Sequence, residues 1–104
     1  MEFINKIEVQ GYVGSTSFTD IQSKKVARFS LATKNTYMLG NIPVIDTVWF
    51  SCEAFEGEEI DFSALQTGNA VNVIGRVVEK RYVDSDGGER RYFEVICQSV
   101  KLAE

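Results

Sequence analysis

The stretch "DTVWFSCEAF" (46–55) alternates, with Val48, Phe50, Cys52 and Ala54 on one parity and Trp49, Ser51, Glu53 and Phe55 on the other. A half-buried strand turns its polar parity to water. Here the only tryptophan and a phenylalanine share that parity with Ser51 and Glu53. Further along, Arg76, Val78, Lys80 and Tyr82 share one parity, opposite Val71, Val73 and Val77, and Arg81 adds a base at the strand's end. Arg28 and Lys34 lie on or near the polar side of another strand, and Tyr37 ends that strand on its apolar parity, so that reaching the outer side requires a bulge or local twist. Outward aromatics interleaved with bases have one characteristic chemistry. Rings stack on nucleobases at roughly 1–3 kcal/mol each, and cations follow phosphates. The same rings also serve protein interfaces, and the pattern alone leaves that open.

Other chemistries find little support. With no histidine, the commonest general base, nucleophile partner and metal ligand are missing. Cys52 and Cys97 lack a Cys-x-x-Cys partner and sit in apolar patterns, as buried reduced thiols do. The acidic residues from Glu53 to Asp61 read as a solvated helix start rather than a metal site. Asp84-Ser85-Asp86-Gly87 resembles the start of a calcium loop but lacks its downstream glutamate, and reads as a hairpin turn. No catalytic residue, metal or cofactor is expected.

Five strands must position these side chains. They are expected at 4–14, 26–37, 46–55, 70–83 and 90–102, with a loop over 15–25, a hairpin connection at 38–43 and a turn at 84–89. The segment 56–69 is the one helix candidate, with Ile60, Ala64 and Leu65 inward and Gly68-Asn69 as its end. Gly75 falls inside a strand, where a sharply bent barrel strand wants a glycine. Three strands, a short helix and two strands make the pattern of an OB-fold, an all-β, five-stranded Greek-key barrel. Another small barrel or a β-sandwich is the alternative. The 104 residues fit one domain over 1–104, large enough to bury a core without a disulfide or metal.

The formal charge is −4, which hides an uneven distribution. Residues 21–45 hold Lys24, Lys25, Arg28 and Lys34 and no acid, whereas 46–61 hold six acids and no base. Arg28, Arg76 and Lys80 are the better candidates for phosphate contact; Lys24-Lys25 reads as a solvated pair, and Arg90 and Arg91 read equally well as partners of nearby hairpin acids. No bilayer-spanning apolar run or signal peptide is visible, so a cytoplasmic, nucleoid-associated location without membrane contact is expected.

In this order and spacing, "NKIEVQGYVG", "VARFSLAT" (26–33), "TVWFSCEAF" (47–55), "GNAVNVIGRV" (68–77) and "DGGERRYFEV" (86–95) carry a likeness. From about Asn5 to Leu102 the sequence resembles bacterial single-stranded DNA-binding proteins of the SSB type. The resemblance implies an OB-fold that binds single-stranded DNA with little sequence preference, in replication, recombination or repair. It implies a homo-oligomer, usually a tetramer, with a dimer as the other expectation. Its stacking positions fall on Tyr37, Trp49, Phe55 and Tyr82, two of them tyrosine where tryptophan is common. Its basic positions fall on Lys6, Lys34, Arg76 and Lys80.

Three departures stand out. The family's disordered tail with an acidic tip is absent from this sequence, so tail-mediated partners are not expected. "EGEEIDF" and Ser51 replace positions where bases are common. The hairpin 38–45 is apolar, with Met38, Leu39, Ile42, Val44 and Ile45. These departures keep a second reading open, an OB-fold protein-interaction module of the primosome-accessory kind with weak nucleic-acid binding.

Overall fold

A computed structural model describes residues 1–103. The strands are β1 (Ile7–Ile21), β2 (Lys24–Leu39), β3 (Ile42–Phe55), β4 (Ala70–Val83) and β5 (Glu89–Leu102). They close into a barrel in the order β1-β2-β3-β5-β4, the five-stranded OB-fold expected from the sequence. Sequence neighbours joined by hairpins pair antiparallel, as does β1 with β4. The last junction, β3 with β5, is parallel and pairs only Cys52 with Val95 and Glu53 with Ile96.

Period-2 alternation fills the interior. Val9, Val13, Phe29, Leu31, Cys52, Ala54, Val71, Val73, Val95, Cys97 and Val100 are all buried in one cluster. Each fully buried valine or leucine contributes about 1.5–3 kcal/mol relative to exposure. Gly75 sits at a register shift in β4, where a Cβ would stand 2.2 Å from the Ile96 carbonyl oxygen. Only glycine lets the two backbones approach so closely.

Three sequence expectations change. The 15–25 loop does not exist: β1 continues to Ile21 and pairs with β2 down to Ile21↔Lys24. The turn is Gln22-Ser23 alone, both with positive φ (52° and 68°). Such turns favour Asn-Gly, so this hairpin carries no turn signature in its sequence. The connection at 38–43 also shrinks, to Gly40-Asn41, because β2 and β3 pair out to Leu39↔Ile42. Finally, the helix over 56–69 is reduced to one 3₁₀ turn, Phe62–Ala64. Hydrogen bonds from Asp61 N to Val100 O and from Val100 N to Glu59 O hold the preceding segment extended against β5. The inward residues are nonetheless those expected: Ala64 and Leu65 are buried and Ile60 packs on the core.

Both long hairpins run past the barrel as arms. One is the β2–β3 arm, Lys34–Leu39 with Ile42–Thr47. The other is the β4–β5 arm, whose turn is built on Asp84: its Oδ1 accepts from Asp86 N and Gly88 N, and its Oδ2 from Arg90 Nε.

Candidate nucleic-acid interface

The register of β2 with β3 sets the outer surface. Directly opposed residues share a side, so Arg28/Glu53, Ser30/Ser51, Ala32/Trp49 and Lys34/Thr47 form one row of pairs facing outward. Trp49 is 60% exposed. Its benzo edge is seated on β1: a Cβ on Gly14 would lie 2.6 Å from Trp49 Cζ3 and 2.6 Å from Ser30 Oγ. The backbone there is irregular, with a register shift between Val13 and Thr16, and Ser15 N donates to Ser30 Oγ at 2.8 Å. A bulge and a glycine thus hold the ring in place while most of it stays open to solvent. Tyr12, opposite Ala32, is also exposed on this side, and the sequence reading missed it.

Glu53 corrects the picture of a solvated acidic run. Its side chain is 7% exposed and accepts from Arg28 Nε at 2.8 Å, whereas the Arg28 side chain is 60% exposed. Opposition across the ladder lets the arginine cover the carboxylate. The hydrogen bond and charge of Glu53, and more weakly Glu94 and Tyr92, hold the Arg28 guanidinium above its already high pKa. The contact runs through Nε, so the terminal amino groups of Arg28 are not the ones that meet Glu53.

The other candidates spread around the barrel. Phe55 lies at the far end of the outward row, opposite Val26, and is exposed. Tyr82 shares its β4 side with Arg76 and Lys80, and it meets Tyr92 edge to face at 5.8 Å. Tyr92, opposite Lys80, is an aromatic the sequence reading missed; counting back from the 84–88 turn would have found it. Asn5 clasps the backbone of Val77, accepting from its N–H and donating to its carbonyl. With Ile7 opposite Gly75, this sets Lys6 beside Arg76. Tyr37 stays apart. No bulge interrupts β2 and β3, so it shares the ribbon side of Val44, opposite Trp49 and Lys34.

The bases differ in how far they are engaged. Arg81 pairs with Glu89 (3.5 Å), Arg91 with Glu79 (3.4 Å) and Arg90 with Asp84 (2.8 Å). Lys25, expected to be solvated, stands over the rings of Phe18 and Phe62 at 5.7 and 5.5 Å. Among the described residues, Lys6, Lys34, Arg76 and Lys80 have no ion pair within 4.0 Å.

Cys52 and Cys97 are buried free thiols. A hydrogen bond with Cys97, then burial, pushes the Cys52 thiol pKa far up, which keeps it neutral and unreactive. Among the described residues no three histidine, cysteine or acidic side chains gather to hold a metal, and no helix is long and apolar enough to cross a membrane.

The barrel is similar to that in a Plasmodium falciparum SSB complex with ssDNA, with a TM-score of 0.82 and 22% identity over 100% of this chain and 98% of that one. It is also similar to a small single-stranded DNA-binding protein from Streptomyces coelicolor, with a TM-score of 0.74 and 23% identity over 99% and 96%. No curated protein sequence matches the chain. Residues 4–103 match the model of the single-strand binding protein family, and the chain belongs to that family, whose members bind single-stranded DNA.

Proposed function

We propose that this protein binds single-stranded DNA with little sequence preference, by stacking and phosphate neutralisation rather than by catalysis. The observation that carries this reading is Trp49, held on Gly14 yet 60% exposed, on the surface that also presents Arg28 and Lys34. Trp49 is the main stacking platform, with Phe55 and the Tyr82–Tyr92 pair continuing it and Tyr37 joining from the reverse side of its arm. Lys34, Arg76, Lys80 and Lys6 neutralise phosphates without first leaving an acidic partner. Arg28 and Arg81 contribute from within ion pairs. The chain acts as a single domain within a homo-oligomer and covers unwound strands during replication, recombination or repair.

Trp49 reports on itself. Titration with oligo-dT should quench its fluorescence, the effect should weaken as salt rises because counterions are released on binding, and duplex DNA should leave it unchanged. No quenching at low salt, with no competition by single strands, would overturn the reading. The second reading then takes over. It rests on the exposed apolar β2–β3 arm, where Met38, Leu39, Ile42 and Ile45 face solvent as a protein-docking surface would.

A further inference from the structure

Beside Arg28 the outer surface opens into a cleft of about 350 Å³, within the range of small-ligand sites (roughly 300–1,000 Å³). Its lining includes Ser15, Ser17, Ser30, Ser51, Arg28 and Glu94. The hydroxyls come from three strands, and Thr16 Oγ1 among them is buried without a hydrogen-bond partner. Trp49 stands next to the cleft: its ring and the lining Ser30 Oγ both come within 2.6 Å of a Cβ placed on Gly14.

The charges across the cleft are unusual. Arg28 is anchored by Glu53 through Nε, which leaves its two terminal amino groups to donate. Glu94, on β5, attracts Arg28 electrostatically, yet no ion pair within 4.0 Å joins them. Among the described residues Glu94 has no ion-pair partner at all. A fixed donor fork and an unpaired carboxylate therefore converge on one hydroxyl-lined space.

A ligand suited to this space needs acceptors on one edge and donors on the next. Phosphate has acceptors only, and Glu94 repels it. Nucleobases carry both kinds. Guanine offers O6 and N7 to an arginine fork, the commonest specific arginine contact, and its N1–H and N2–H to a carboxylate. Adenine puts a donor where Arg28 needs an acceptor, and neither pyrimidine presents both bidentate edges.

We infer that the cleft is a guanine-reading subsite within the single-strand interface, in which Arg28 donates to O6 and N7 while Glu94 accepts from N1–H and N2–H. The inference rests on the single-strand reading above and adds a base preference to it. Trp49 stacks whichever base comes next. The protein thus covers any single strand but settles in register where a guanine enters the cleft.

The test compares oligo-dT with the same strand carrying one central dG, dA, dC or deoxyinosine; a single guanine avoids quadruplex formation. A single dG should tighten binding at least five-fold, the lower end of what a bidentate base contact supplies. A dA or dC should not, and deoxyinosine, which lacks the 2-amino group, should fall between. Glu94→Gln should remove the dG advantage while oligo-dT binds as well or better, since a negative charge is lost. Arg28→Lys keeps a cation against Glu53 but loses the fork, so the ratio of dG-strand to oligo-dT affinity should fall to one, whatever the variant does to oligo-dT binding itself, to which Arg28 contributes. Oligo-dT binding with equal affinity for all the substituted strands would overturn the subsite alone, and so would a dG advantage that survives Glu94→Gln. Loss of oligo-dT binding itself would overturn the underlying function. Displacement of the strand by dGMP, with no dG advantage within a strand, would assign the cleft to a free nucleotide and overturn the inference as stated.

Discussion

The two arms are built alike and finished differently. The β4–β5 arm is laced across its strands: Glu79–Arg91, Arg81–Glu89 and Asp84–Arg90 pair, and Tyr82 meets Tyr92. The β2–β3 arm has no ion pair among the described residues and exposes Met38, Leu39, Ile42 and Ile45. An isolated two-stranded ribbon is marginal in water. One arm therefore supplies its own support, while the other presents apolar side chains that gain stability only when something covers them. The self-supporting arm also uses some of its cations internally, so a count of bases overstates what it offers to DNA.

The sharpest test of this contrast lies at the arms' roots. Trp49→Ala should weaken oligo-dT binding by about 5- to 150-fold, the equivalent of roughly 1–3 kcal/mol of stacking. Tyr82→Ala should cost less, because Tyr92 remains beside it. Gly14→Ala should give a smaller version of the Trp49 effect with the barrel intact, as the new methyl group pushes the ring off its seat. Equal losses for Trp49→Ala and Tyr82→Ala would erase the distinction.

Next in size is the engagement of bases. Lys80→Ala should lower the salt dependence of binding by about one counterion, whereas Arg81→Ala should lower it by less, since Glu89 already partners it. The same slope for both variants would show that the arm's ion pairs dissolve on binding.

On the apolar arm, Leu39→Ser with Ile42→Ser should change stability by no more than about 0.5 kcal/mol per site, because both side chains are exposed. It should shift the association state seen by sedimentation. An unchanged state would leave the arm without a protein partner of its own kind.

The smallest effect concerns pH. Arg90, then the Gly88 N–H, holds the Asp84 carboxyl below its usual range. The folded pKa is lowered, so this support is complete above the ordinary carboxylate value and is lost as pH falls through the depressed one. Protection of the amides at 84–90 relative to their intrinsic exchange rates should therefore fall only in acid, and Asp84→Asn should bring that loss of protection to neutral pH.

What the sequence made legible follows from how local each signal is. Core parity and outward Trp49 need only a period of two, and Gly75 needs only its place within a strand. Glu53 was misread because its burial depends on Arg28, 25 positions away and opposite only once the register is known. The cleft draws Ser15, Ser30, Ser51 and Glu94 from four strands, a gathering no local pattern records. The loop at 15–25 was misread for another reason: Gln22-Ser23 turns the chain with φ values that most side chains avoid, and no glycine or asparagine announces it.

The parallel contact between β3 and β5 gives the barrel a hinge line. Four of its five junctions are long ladders, while this one is held by two opposed pairs, so thermal opening should begin there. Ser51 and Cys52 stand on one lip and Glu94 on the other. DNA bound in the proposed cleft would act as a clasp across them, and the amides along the lips should be among the first to exchange in the free protein and the most slowed when DNA is bound.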